Sequence, residues 1–211
     1  MIFVPIVKSE CENELISDVA HERIKALLKA YKAGSIKYED AVEKLLIAHA
    51  DGIKGQTVDD IYEHAIHFVR ANAEKLFFPY ADCVGELFGS SFKQIVVTAE
   101  PSYVAQAVSE YLGFQMGYST NYEINEKRYT GALVDTLAYR DSKSNVIKNH
   151  NVEYAFGDSA GDIAMLQEAK YAICISPDEE LRKHASEYDW PVFDGDSTEN
   201  IINFIKGTFI N

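Results

Sequence analysis

With 211 residues, 47% of them hydrophobic and 25% charged, the chain has the composition of a globular protein with one sizeable core and a smaller second unit. Its formal net charge of −13 argues against nucleic acid and anionic membranes as partners, because both are bound through clustered lysines and arginines. Three scattered cysteines, Cys11, Cys83 and Cys174, lack Cys-x-x-Cys spacing, so neither a disulfide framework nor a zinc site is expected, and a reducing cytoplasm fits best.

The apolar start, residues 1–7, is too short for a signal peptide and lacks its basic flank, and no stretch approaches the length of a membrane span. Residues 1–4 read as a strand held in the sheet and ending at Pro5, which cannot donate to a ladder. From residue 15 to 76 the pattern is helical. Val19, Ile24, Leu27 and Leu28 recur at three- and four-residue spacing, as do Val42, Leu45 and Leu46 and, later, Ile61, Ala65 and Phe68. Thr57-Val58-Asp59-Asp60 is a capping box by type, so a helix should begin near Val58. His64 and His67 on that helix have metal-ligand spacing, but a solvated helix face is the stronger reading. After Phe77-Phe78-Pro79-Tyr80, strand-like runs at 95–97, 154–156 and 172–175 alternate with helical patterns at 102–112, 143–148 and 163–169. A weaker strand at 192–193 and a helix at 199–205 follow. That alternation predicts βαβ units and a parallel sheet.

The stretch Tyr154-Ala155-Phe156-Gly157-Asp158-Ser159-Ala160-Gly161-Asp162 carries the most chemistry. An apolar strand breaks at Gly157, Asp158 stands at its carboxyl end, and Asp162 follows where a helix begins. Open α/β sheets bind ligands at that edge, and two hard oxygen ligands suit a hydrated Mg²⁺ that also touches a phosphate. Asp as a helix N-cap is the plainer alternative. Thr98, at the end of an apolar strand, allows either a phosphate cradle or an N-cap. Lys143 allows either neutralisation of phosphoryl oxygens or a solvated first-turn position, with Lys148 as a rival.

Taken together these segments resemble the haloacid dehalogenase (HAD) superfamily, in its phosphoserine-phosphatase-like branch. Gly157-Asp158-Ser159-Ala160-Gly161-Asp162 resembles the fourth motif, Ile95-Val96-Val97-Thr98-Ala99-Glu100-Pro101 the second, and Lys143 matches the third-motif lysine. Tyr118-Ser119-Thr120-Asn121-Tyr122-Glu123-Ile124 and Arg128-Tyr129-Thr130-Gly131 resemble the branch's hairpin after Leu112-Gly113-Phe114. Order and spacing agree over roughly residues 75–195. The resemblance implies an α/β fold: a three-layer Rossmann-like core with a parallel sheet, residues 1–12 and 78–211, and an inserted helical cap, residues 13–77. It implies Mg²⁺-dependent hydrolysis of a small phosphorylated metabolite, with Lys143 catalytic, Thr98, Ala99 and Lys143 on the phosphate, Asp158 and Asp162 on the metal, and Glu10 on the substrate side.

One part of the family pattern is absent. The first motif, Asp-x-Asp-(Gly/Ser)-Thr-Leu, supplies a nucleophile and a general acid in the intact family, whereas no Asp precedes Asp18 here. Turnover near background and weak or absent Mg²⁺ binding are therefore expected. The expectation divides into a phosphatase whose start was mis-chosen and a non-catalytic metabolite- or phosphate-binding protein, and an in-frame Asp-x-Asp motif in the DNA upstream of Met1 would favour the first. Phosphoserine itself is disfavoured, because the cap arginines Arg23 and Arg70 lie outside the local pattern that would grip its carboxylate. Thr98, Lys143 and Asp158 are expected to converge, with Lys143 paired to Asp158 across an empty site.

Overall fold

The computed structural model describes residues 2–137 and 140–209. In chain order, helices α1 (Phe3–Glu12), α2 (Asp18–Lys32), α3 (Tyr38–Gly52), α4 (Val58–Leu76) and α5 (Tyr80–Phe88) precede strand β1 (Ile95–Pro101) and helix α6 (Ser102–Leu112). The hairpin strands β2 (Met116–Asn125) and β3 (Arg128–Asp135) come next, then α7 (Arg140–Lys148), β4 (Tyr154–Gly157), α8 (Ile163–Leu166) and β5 (Tyr171–Ile175). Helix α9 (Glu179–Glu187), strand β6 (Val192–Phe193) and helix α10 (Thr198–Thr208) close the described chain. The fold is α/β, and it divides into two compact units: Met1–Leu76 with Ile95–Ala138, and Phe77–Gln94 with Tyr139–Asn211.

In the first unit, β1 pairs parallel with β2, and β2 pairs antiparallel with β3, giving the order β1-β2-β3. Helices α2 and α3 approach closely at Gly52, where a Cβ would stand 2.5 Å from Ile16 Cγ1 and 2.7 Å from Ala20 Cβ, so a larger residue would force them apart. Helix α4 starts as its sequence predicts. Thr57 Oγ1 accepts the Asp60 N–H at 3.0 Å and its hydroxyl donates to Asp60 Oδ2 at 2.6 Å.

Residues 2–4 overturn the expected first strand, since helix α1 begins at Phe3 (Met1 lies outside the described residues). The physical reason is the spacing of what α1 buries: Phe3, Ile6, Val7 and Glu10, a helical stripe that a short apolar run conceals. Pro5 lies in the first turn, where its missing N–H would have had no intrahelical partner anyway. The Phe3 N–H finds its acceptor elsewhere, in Glu100 Oε1 at 2.9 Å.

The second unit is layered about the parallel sheet β4-β5-β6. Strand β5 explains the layers, because successive side chains point to opposite faces. Ile173 and Ile175 join Val84, Phe88, Ile201 and Ile205, from α5 and α10, on one face. Ala172 and Cys174 join Ala155, Ile163, Leu166, Leu181 and Ala185, including residues of α8 and α9, on the other. Burial on both faces is the mark of a parallel sheet sandwiched by helices. Strand β4 ends at Gly157, and this register brings the residue after it to the carboxyl edge of the sheet.

Candidate active site

The turn that follows β4 is built around one carboxylate. Asp162 Oδ2 accepts the backbone N–H of Asp158 at 3.1 Å, that of Ser159 at 3.3 Å and the Ser159 hydroxyl at 3.2 Å, while Oδ1 accepts Lys143 Nζ at 2.7 Å. The Asp162 N–H in turn donates to the Ser159 carbonyl at 2.9 Å, closing a single 3₁₀ turn before α8. Gly157 is required by this fold-back, because a Cβ there would meet Asp162 Cβ at 2.7 Å. Four hydrogen bonds fill most of what an ionised carboxylate can accept.

Lys143 therefore pairs with Asp162, not with Asp158 as the sequence suggested. The Lys143 and Asp162 side chains are only 12% and 9% exposed, so each would leave a buried charge uncompensated without the other. Asp158 is exposed to solvent, where an unpaired carboxylate costs little. Its carboxyl is nevertheless pushed above the usual carboxylate range, first by desolvation where the chain crowds it and second by the charge of Asp162, with Lys143 pulling partly back. The rival lysine has a different role. Lys148 makes a more exposed ion pair with Glu168 at 3.4 Å.

The donor set at this turn offers little to a divalent cation. Asp162 is engaged at both oxygens, which leaves Asp158 as the carboxylate of this turn with an exposed, uncommitted side chain. No group of three or more His, Cys, Asp or Glu side chains among the described residues is arranged to hold a metal ion. One free hard-oxygen ligand fits a loosely held Mg²⁺ that keeps most of its water.

Thr98, Ala99 and Glu10 belong to the other unit. Regular β1 pairing runs through Val97, and the register shifts between Val97 and Pro101, so Thr98 sits at the irregularity and the strand continues to Pro101. Its Oγ1 accepts the Glu100 N–H at 3.1 Å, a short local turn and not the cap of α6, which starts at Ser102. The Ala99 carbonyl accepts the Thr120 hydroxyl at 2.8 Å.

Glu10 lies fully buried in a network that the sequence did not disclose. Its Oε1 accepts the Tyr103 hydroxyl at 2.6 Å, its Oε2 lies 2.6 Å from His49 Nε2, and His49 Nδ1 lies 3.1 Å from the Tyr122 hydroxyl. His49 thus bridges Glu10 and Tyr122 through its two ring nitrogens. Burial, followed by the charge of Glu10, raises both tyrosine hydroxyls well above their ordinary value. Both oxygens of Glu10 are thus committed internally.

Glu100 is a second residue that pattern reading passed over. Burial pushes its carboxyl up to about 7, partly offset by the backbone N–H groups of Phe3 and Ile2, and its Oε2 is buried with no well-formed hydrogen bond among the described residues. The available signal was a charged residue inside an apolar strand segment. Arg70 forms an exposed pair with Glu110 at 2.8 Å. His67 and Glu63 make only a long, exposed contact at 3.9 Å.

Comparison with known proteins bears on the family and the fold. Residues 11–167 match the model of the haloacid dehalogenase-like hydrolases. A probable phosphatase of Mycobacterium tuberculosis is 27% identical over 154 residues, covering 69% of this chain and 50% of that protein. The chain thus spans about half the length of the curated relatives it matches first. Among solved structures, a protein of unknown function from Bordetella pertussis Tohama I aligns with a TM-score of 0.64 at 23% identity, covering 81% of this chain and 80% of that one. A substrate-bound phosphoserine phosphatase aligns with a TM-score of 0.61 at 17% identity, covering 87% and 84% respectively, a likeness of fold.

Proposed function

The chain belongs to the haloacid dehalogenase-like hydrolase family, and from that premise we propose that it is a phosphatase scaffold that binds a small phosphorylated metabolite and, as this sequence stands, turns it over close to background. The observation that carries the reading is the turn after β4, with a buried Lys143–Asp162 pair beside an exposed, uncommitted Asp158. Lys143 holds a fixed positive charge at the edge where phosphoryl oxygens would sit, and Asp162 fixes that charge in place. Thr98 and the backbone N–H of Ala99 are assigned to the phosphate by the family resemblance. Glu10 keeps a substrate-side assignment on the family resemblance alone, since with both oxygens bonded to His49 and Tyr103 it would have to give up one of these bonds to meet a substrate.

Mg²⁺ would be held by Asp158, with Asp162 as its neighbour, and when bound supplies charge neutralisation at a phosphoryl oxygen. Millimolar affinity is expected from a single free carboxylate. The expectation of low turnover concerns the sequence as given, in which no Asp before Asp18 stands where the family resemblance places the nucleophile. The helices of residues 13–77 are read as the cap and residues 1–12 with 78–211 as the core. No helix among the described residues is long and apolar enough to cross a membrane, and a cytoplasmic site of action is the reading that suits the three unpaired cysteines.

Hydrolysis of p-nitrophenyl phosphate with Mg²⁺, alongside binding of inorganic phosphate, tests this. Phosphate binding that Lys143→Ala abolishes, with turnover near background, is the expected result. Robust Mg²⁺-dependent turnover lost in Asp158→Asn would overturn the proposed inactivity, and absence of phosphate binding would overturn the scaffold reading. A non-catalytic metabolite-binding protein is the second reading, favoured by that same missing carboxylate.

A further inference from the structure

We infer that Asp178 is a positioning residue for Asp158, holding the turn after β4 so that the Asp158 carboxylate alone is left to meet a cation; the cation part of this rests on the function proposed above. Asp178 is the N-cap of α9, and its Oδ1 accepts the Leu181 N–H at 2.8 Å. A cap needs only that one oxygen, and serine would serve as well. The second oxygen reaches across the unit and accepts the Ala160 N–H at 2.9 Å. The N–H of Asp178 itself donates to the Asp158 carbonyl at 3.0 Å.

These bonds complement those made by Asp162. The Asp158 N–H is held by Asp162 and its carbonyl by Asp178, so its backbone is fixed on both sides while its side chain stays exposed. The link between β5 and α9 that delivers Asp178 is itself constrained. Ser176 sits at φ +43°, a left-handed conformation uncommon outside glycine, and is pinned there by its N–H on the Phe193 carbonyl at 2.8 Å and by its Oγ, which accepts the Gly195 N–H at 2.9 Å. Strain of this kind persists only where surrounding bonds over-determine it. Here those bonds set the path of the loop that carries Asp178.

The two duties of Asp178 separate chemically. In Asp178→Asn the remaining oxygen keeps the Leu181 cap, since Asn caps as well as Asp, but the new amide N–H₂ would face the Ala160 N–H donor to donor. Ala160→Pro removes the same bond from the other side. Ser159, at φ −142° and ψ 163°, already has the extended backbone that a following proline demands. Mn²⁺ titrated into the whole chain, followed by paramagnetic broadening of backbone amides, reports occupancy at Asp158 without reference to turnover, and amide exchange reports the turn.

The expected result is broadening centred on Asp158 in the parent chain, weakened about tenfold or more in Asp178→Asn and in Ala160→Pro, as loss of a residue supporting a metal ligand usually produces. Amide exchange at Asp158 and Ser159 should accelerate, while α9 exchange in Asp178→Asn stays unchanged. Equal Mn²⁺ broadening in parent and variants would overturn the positioning role. Absence of broadening at Asp158 in the parent would instead sink the cation reading, and exchange then decides the clamp alone: acceleration supports it and unchanged exchange overturns it.

Discussion

Both units bury an ionic cluster, and the two are finished differently. In the first, Glu10, His49, Tyr103 and Tyr122 close on one another with Glu10 and His49 wholly removed from solvent. In the second, Asp162 and Lys143 close on each other but leave Asp158, four residues away, exposed and uncommitted. A closed buried network fixes a fold uniquely, whereas a buried pair that presents a free carboxylate at a sheet edge has capacity for a ligand. Ionisable residues in both units are crowded, so burial alone does not tell the two apart; the spare bonding capacity does.

The sharpest way to break this contrast is in the closed network. His49→Ala strips one oxygen of a fully buried Glu10 of its partner, and a loss of about 3–5 kcal/mol is expected in urea unfolding, the usual penalty for orphaning a buried charge. A loss under about 1 kcal/mol would mean that water replaces the histidine and the network is open after all.

Glu100 gives the next largest effect, and pH exposes it. Its folded-state value, about 7, lies above the ordinary 4.5, so between these values the folded chain holds a proton that the unfolded chain has released. Stability should therefore fall as pH rises from about 4.5 through about 7, by on the order of 3 kcal/mol at most. Glu100→Gln should flatten that slope and unfold later than the parent at pH 8. A parent chain whose stability is flat between pH 5 and 8 would contradict the burial of Glu100 Oε2.

Lysine exchange on α7 sharpens the other half. Lys143→Ala uncovers the largely buried Asp162 and should cost about 2–3 kcal/mol, below a fully buried pair because part of the charge regains water. Lys148→Ala breaks an exposed pair with Glu168, and a change within about 0.5 kcal/mol is expected. Equal effects would erase the distinction between the two lysines. The smallest effect belongs to Asp158→Asn, which removes a charge facing Asp162 and should shift stability by no more than about 0.5 kcal/mol, while weakening Mn²⁺ binding. A large stability loss there would recast Asp158 as structural.

The local parts of this protein were legible in its residues. The strand before Gly157, the doubly buried run at 172–175 and the Thr57 cap follow from apolar spacing and turn chemistry over a few positions and appear where that spacing puts them, while the hairpin was legible through the family resemblance. Residues 2–4 were misread for the same local reason: a short apolar run has no period long enough to separate strand from helix, and the buried stripe that continues through Ile6, Val7 and Glu10 decided it.

By itself, then, the sequence determined the α/β alternation, the family motifs and the identity of the charged groups at the sheet edge, because each depends on contacts within a few residues. Tertiary structure alone decided which charges meet. Lys143 chose Asp162 over Asp158 through depth of burial, His49 found Glu10 across 39 positions, and Asp178 reached Ala160 across 18. Pairings at such separations leave no periodic trace, since any carboxylate satisfies the residue pattern and only the packed chain fixes which one loses its water.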